Sequence, residues 1–307
     1  MEVPVIDFSK FHGEERAKVM VQIHSACQNW GFFQLINHGI PEALLEGVKE
    51  VCIHNYKFSR EEMFKNSQPV KEVEKTLSGK ETPQKIETLD WEDAFMLYYK
   101  EESEEWPSEP LNFKKTMVEF SNRLKELAVT ILQIMDENLG LEKGYLNEKF
   151  KGNEGQPFFA TKVSHYPPCP RPDLIDGLRA HTDAGGIILL YQDDQVGGLQ
   201  VLKDGHWVDV KPIPNTIVID IGDQLETISN GKFFSAPHKV LATKDGNRRS
   251  VASFYNPAPS AVISPAPSLL HGDASIDYPT FVSADYMRRY MEEKFLPKEP
   301  RINAMKY

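Results

Sequence analysis

The chain is poor in cysteine. Only Cys27, Cys52 and Cys169 occur in 307 residues, and none forms a Cys-x-x-Cys pair. Three thiols cannot build a paired disulfide framework and no zinc site is suggested, so each reads as a small buried hydrophobe or surface thiol in a reducing, cytoplasmic setting. Long apolar runs are missing too. Without a stretch of eighteen apolar residues, and with no basic region or apolar segment behind Met1-Glu2-Val3-Pro4, neither a membrane span nor a secretory signal is expected. Basic charge is in deficit: 35 Lys and Arg against 45 Asp and Glu leave a net charge of −10. A nucleic-acid partner is therefore not expected, because phosphate backbones are held largely by basic side chains. Phosphate loops of the Gly-x-Gly-x-x-Gly and Walker types are absent, as is the Gly-x-Ser-x-Gly elbow of serine hydrolases.

Against these absences stands one group of metal-ligating residue types: His181-Thr182-Asp183, with His238 following 55 residues after Asp183. Two imidazoles and a carboxylate can bind one face of an octahedral iron(II), leaving positions open for other ligands. On a strand, residues i and i+2 share a face. Their Cα atoms lie roughly 6.6 Å apart, so the side chains of His181 and Asp183 can converge on one ion. His238 then arrives from a neighbouring strand. A His-x-Asp triplet arises easily by accident in a chain with nine histidines, and a buried His bonded to a nearby Asp is the plainer reading, so the motif depends on its context.

That context is a change of texture along the chain. The first half reads as a short strand (Val3 to Phe8), a helix (Glu15 to Asn29), a strand (Phe32 to Ile36), a turn into a second helix, and a long helix over 112–138. Met117, Phe120, Leu124, Leu127, Ile131 and Ile134 form the apolar stripe of that long helix, which is expected to brace a sheet. Residues 59–86 are polar and lysine-rich, and read as a mobile surface segment with some helix in it. From Phe158 onward short β-branched and aromatic runs alternate with turns, among them Asp204-Gly205, a hairpin signal. The fold class expected is mainly β with flanking helices. Its core is a jelly roll (double-stranded β-helix), preceded by N-terminal helical elements and followed by a C-terminal helix near 284–295. One domain is expected over 1–307: residues 1–157 brace the core, 158–265 form the catalytic jelly roll, and 266–307 are the C-terminal helix and tail.

Several side chains are expected around the ion. Arg248 and Ser250 share one strand face, and a guanidinium beside a hydroxyl suits a carboxylate or bicarbonate. Lys162 and Tyr166 add a cation and a phenol near the cavity mouth, and Phe254 continues the Ser250 face as an apolar wall. Arg249, between Arg248 and Ser250, is expected to point outward, where it does little harm. Gly185-Gly186 permit close backbone approach.

These residues make the chain recognisable. Asn29-Trp30-Gly31-Phe32-Phe33, Asn37-His38-Gly39, Tyr166-Pro167-Pro168-Cys169-Pro170, the His181/Asp183/His238 set and Arg248-x-Ser250 resemble the plant non-haem iron oxygenases, members of the 2-oxoglutarate/Fe(II) dioxygenase superfamily. Thr161-Lys162-Val163-Ser164, Leu178 through Leu190, Ala252 through Pro257 and Lys298-Glu299-Pro300-Arg301 narrow the resemblance to the 1-aminocyclopropane-1-carboxylate oxidases. Ala236-Pro237, Lys239, Arg249 and Asn303 depart from that pattern. The resemblance implies Fe(2+) as cofactor, O2 and a cyclopropane amino acid as substrates, ascorbate as co-substrate and bicarbonate/CO2 as activator, with ethylene, cyanide and CO2 as products. It assigns Lys162, Arg248 and Ser250 to catalysis, and Tyr166, Phe254, Lys298 and Arg301 to binding substrate or co-substrate, the tail closing over the site. Two other readings stay open: a 2-oxoglutarate-dependent dioxygenase acting on a plant small molecule, and a jelly-roll binding protein without catalysis. A monomer is expected.

Overall fold

Strict side-chain alternation along the strands builds two facing sheets, and the space between them becomes the site. In the computed structural model, which describes residues 1–78, 84–99, 106–270 and 278–306, the strands of these sheets are β1 (Val5–Asp7), β2 (Phe32–Ile36), β3 (Asp93–Tyr98), β4 (Phe158–Tyr166), β5 (Leu178–His181), β6 (Ile187–Gln192), β7 (Leu199–Lys203), β8 (His206–Asp209), β9 (Ile217–Ile221), β10 (His238–Val240) and β11 (Arg248–Asn256). A seven-stranded sheet runs β1-β2-β9-β6-β11-β4-β3, and a four-stranded sheet runs β5-β10-β7-β8. Every pairing within them is antiparallel except β1 with β2. The expected jelly roll is thus present, and its large sheet recruits three strands, β1, β2 and β3, from the N-terminal third.

The large sheet is buried on both faces, which is why β9 reads as an unbroken apolar run with one acid in it. Its outer face carries Phe33, Leu35, Leu189, Tyr191, Ile219, Val251 and Tyr255 in one core cluster with α1 (Arg16–Asn29), α2 (Glu42–Asn55) and the long helix, here Phe113–Leu139. Met117, Phe120, Leu124, Leu127, Ile131 and Ile134 are all buried there, so the long helix braces the sheet as its stripe foretells. It stops at Gly140, whose φ of 70° is the left-handed conformation glycine adopts without strain. The inner face carries Phe32, Asp220, Ile188, Leu190, Ser250, Phe254, Lys162, Ser164 and Tyr166, side by side by register.

The helix expected within 59–86 is present, and it is packed against the core and not loose on the surface. After a π turn at Tyr56–Arg60, two further helices form, α3 (Glu61–Lys65) and α4 (Gln68–Leu77), anchored by buried Phe64 and Val73 against Trp91; residues 79–83 lie outside the described residues. Polar composition hid the anchoring, because one buried side chain per helix gives no visible stripe. With these two short helices in place the long helix is α5, followed by α6 (Tyr145–Lys151). Between β9 and β10 lies α7 (Asp223–Ile228), and after β11 come α8 (Ser283–Glu293) and α9 (Lys298–Asn303). The sequence reading anticipates α8 but neither α7 nor α9. The Asp204-Gly205 hairpin is borne out: both residues have positive φ, 50° and 77°, and join β7 to β8.

Candidate metal centre and active site

His181 ends β5 and His238 opens β10, and the two pair directly across the small sheet. Their ring centroids are 4.4 Å apart. Asp183 lies two residues past the end of β5, which corrects the expectation that it shares a strand face with His181. The loop 182–186 holds it instead. The backbone N–H of Asp223 donates to the carbonyl of Asp183 at 2.7 Å, and that of Gln224 to Gly185 at 3.0 Å. The close approach expected of Gly185-Gly186 is real. A Cβ on Gly185 would sit 1.9 Å from Asn256 Oδ1, and one on Gly186 would meet the Phe150 ring at 2.3 Å.

One donor atom each from His181, Asp183 and His238 lies within 4.8 Å of the others. His181 Nε2 is 3.6 Å from Asp183 Oδ1, and His238 Nε2 is 4.0 Å from Asp183 Oδ2. Those separations are too long for hydrogen bonds and suit three ligands around a common centre. Each Nδ1 faces a backbone carbonyl, Arg179 O at 2.8 Å and Ala236 O at 3.2 Å. With Nδ1 as donor, each ring presents an unprotonated Nε2 to that centre. Burial first, then the neighbouring His238 and Lys294, push the His181 imidazole well below its ordinary pKa, and burial also lowers that of His238. Two neutral imidazoles and a carboxylate are the donor set that an imidazole-accepting divalent cation such as iron(II) requires.

The ligands open on a cavity of about 70 Å³ between the sheets. Arg248, buried, donates from Nη2 to Gln192 Oε1 at 3.0 Å and lies over the Tyr166 ring at 5.0 Å. Ser250 Oγ is 3.4 Å from Arg248 Nη1. Arg248 Nε and Gln192 Nε2 are buried and have no partner among the described residues, so this corner holds free donors for an anion. Phe254 lines the wall. Lys162 also lines the cavity, but its ammonium donates to both oxygens of Glu92 at 2.7 Å, and Tyr166 Oη donates to the same carboxylate at 2.6 Å. Burial pushes Glu92 up; the Lys162 charge and these hydrogen bonds outweigh it and hold the carboxyl below its usual value.

Arg249 faces away from the cavity as expected, and its guanidinium reaches Asp193 Oδ2 at 2.5 and 3.0 Å, a half-buried ion pair that pins the end of β6. One expectation is corrected. Lys298 and Arg301 do not line the cavity. Both are buried behind the ligands, Lys298 on Glu226 and Arg301 on Asp223, because α7 presents two buried acids that those cations neutralise. The C-terminal segment instead reaches the cavity through Lys294, and Phe295 stands edge-on to His181 at 6.1 Å.

Glu92, Lys294 and Asp220 escaped the sequence reading. Asp220 had a signal, a lone acid inside Ile217–Ile221; burial and the charge of Asp183 push its carboxyl well above the carboxylate range. Glu92 and Lys294 sit in ordinary polar stretches and had none.

Comparison with known proteins agrees with this geometry. The model of the 2OG-Fe(II) oxygenase superfamily matches residues 157–257, and that of the non-haem dioxygenase in morphine synthesis N-terminal region matches 3–117. 1-Aminocyclopropane-1-carboxylate oxidase 5 of Arabidopsis thaliana is 54% identical over 100% of this chain and 99% of its own length. A 1-aminocyclopropane-1-carboxylate oxidase from Musa acuminata is likewise 54% identical, with the same coverage. Among solved structures, JOX2 in complex with 2OG, Fe and JA superposes with a TM-score of 0.81 at 31% identity, covering 99% of this chain and 89% of that one. A full-length Neurospora crassa protein in complex with alpha-KG gives 0.77 at 26% identity, with 94% and 95% covered. Among the described residues no helix is long and apolar enough to cross a membrane.

Proposed function

Since the chain belongs to the 1-aminocyclopropane-1-carboxylate oxidases of the 2OG-Fe(II) oxygenase superfamily, we propose that it oxidises 1-aminocyclopropane-1-carboxylate to ethylene, cyanide and CO2 with O2, using ascorbate as reductant and bicarbonate as activator. The observation that carries this reading is the convergence of His181, Asp183 and His238 on one point at the cavity wall. Iron(II), when bound there, supplies a redox centre with open coordination positions. Reducing O2 to two waters takes four electrons: two come from opening the ring and two from ascorbate.

The chain's own residues do the rest. The carbonyls of Arg179 and Ala236 fix the imidazole tautomers. Arg248 and Ser250 receive a carboxylate or bicarbonate, the unpartnered donors of this corner being satisfied when an anion arrives. Lys162, held by Glu92 and with its charge balanced, acts at the mouth as a positioned donor and not as a free cation. Phe32, Leu190, Leu199 and Phe254 exclude water around a small apolar ring.

The test is direct. Purified protein with iron(II), ascorbate and the cyclopropane amino acid should release ethylene without 2-oxoglutarate. Succinate formed from 2-oxoglutarate, with no ethylene from ascorbate alone, would transfer Arg248 and Ser250 to a 2-oxoglutarate-dependent reaction.

A further inference from the structure

The two cations of the C-terminal helix meet the two segments that carry the metal ligands. Arg301, fully buried, donates from Nη2 to Thr182 Oγ1 at 3.0 Å and to Asp223 Oδ2 at 3.1 Å. Thr182 stands between His181 and Asp183, and its hydroxyl donates to the same Asp223 oxygen at 3.1 Å. Lys298 donates to Glu226 Oε2 and to the carbonyl of Ser235, both at 2.6 Å. Ser235 lies three residues before His238. Its backbone N–H donates to Glu226 Oε2 and its hydroxyl to Asp223 Oδ1, the latter at 2.7 Å. Tyr286 Oη donates to Asp223 at 2.7 Å and accepts from Arg301 Nε at 3.1 Å. One buried turn of helix, α7, therefore joins three things: the loop of His181 and Asp183, the approach to His238, and α9.

Neither tail cation reaches the cavity, so neither touches substrate here. We propose that Arg301 and Lys298 are positioning residues, which lock α7 and through it hold the two ligand-bearing segments at the separation the metal needs. The assignment rests on the metal-site reading above. A tail that bound substrate would affect turnover while leaving the metal in place; a tail that sets ligand geometry must affect the metal before any substrate is present. Outer partners of metal ligands commonly change metal affinity by roughly 10–100-fold when removed.

Cobalt(II), redox-inert in air-free buffer, serves as the probe, followed by its visible absorption in the full-length protein with no substrate or ascorbate. Arg301→Leu should weaken Co(II) binding by about 10–100-fold, with Arg301→Lys recovering part of the loss. Thr182→Val, which removes one hydroxyl from the link, should weaken Co(II) in the same direction. Combined with Arg301→Leu it should add less than its own single effect, since both act through one contact. If Arg301→Leu fails to fold, Thr182→Val alone decides. Unchanged Co(II) affinity in the variants, with turnover lost, would overturn the latch and return the tail to a direct role with substrate. If wild-type protein bound no Co(II), both the latch and the metal centre would fall; binding by wild type and variants alike would remove only the latch.

Discussion

The cavity wall and the block behind it are built from the same kinds of side chain: an arginine, a lysine and carboxylates on each side of the three ligands. Behind, every charge is closed. Asp223 accepts from Thr182, Ser235, Tyr286 and Arg301, and Glu226 accepts from Ser235, Tyr278 and Lys298. In front, closure is incomplete. Arg248 Nε, Gln192 Nε2 and Asp220 Oδ1 are buried and find no hydrogen-bond partner among the described residues. The side chain of Gln224 on α7 is the exception behind, its amide buried with no partner among the described residues. Closed charge networks hold geometry, whereas unsatisfied donors at a cavity wall await a ligand. Burial alone does not separate the two regions, since Arg248 and Arg301 are about equally inaccessible.

That contrast can be broken in several places. The largest effect belongs to Asp183→Ala at the boundary. It should abolish ethylene formation and weaken metal binding by more than the roughly 10–100-fold expected for an outer partner. Full activity with one bound iron would end the ligand assignment. Next comes the rear. Asp223→Ala strands Arg301 as an unpaired buried charge and should cost about 3–5 kcal/mol of stability in urea denaturation. A loss below about 1 kcal/mol would mean the block is looser than its hydrogen bonds imply.

In front, Arg248→Ala should weaken the bicarbonate and ascorbate response by about 1.5–3 kcal/mol, the worth of a charged hydrogen bond. An unchanged response removes Arg248 from the anion site. A smaller, pH-dependent effect comes from His165, which stacks on Tyr56 at 3.5 Å and meets Asn247 at 3.0 Å on the sheet face away from the metal. Burial pushes its imidazole down to about 4. The unfolded chain takes that proton near pH 6.5, so stability falls as pH drops from about 6.5 to about 4 and this contribution is flat below. Replacing His165 with Gln should remove up to about 2 kcal/mol of the stability lost between about pH 6.5 and about pH 5, measured as the difference between parallel denaturation curves. An unaltered slope would assign the acid response to other buried groups, His181 and His238 among them. Smallest of all is Arg16→Gln. Arg16 grips Glu137 in a two-pronged pair at 2.9 and 2.6 Å, as tight as any at the rear, but in solvent. Its removal should leave the melting temperature unchanged, isolating burial as what makes the rear pairs matter.

Much of the front was legible in the sequence, because period-2 alternation places Arg248, Ser250 and Phe254 on one face wherever the strand begins. His181 and His238 were legible from their residue type and the motif around them, not from alternation. Asp183 joins the cluster for a different local reason than its spacing suggests: it converges through a loop pinned by α7 and not through strand geometry. The rear was illegible. Asp223-Gln224-Leu225-Glu226 reads as an ordinary polar turn, and nothing local shows that both acids are buried or that their counter-charges come from residues 298 and 301. Long-range charge pairing has no period. The same blindness hid Glu92 as the partner of Lys162, 70 residues away.

The distance along the chain between α7 and its cations bears on how the enzyme is made. Glu226 leaves the ribosome 72 residues before Lys298. At roughly 5–20 residues per second, several seconds pass in which all three ligands exist but both helix acids lack their partners. On the latch proposed above, tight metal binding waits for that closure, and a message truncated shortly before codon 298 is expected to yield a chain with a complete ligand set and a poor grip on its metal.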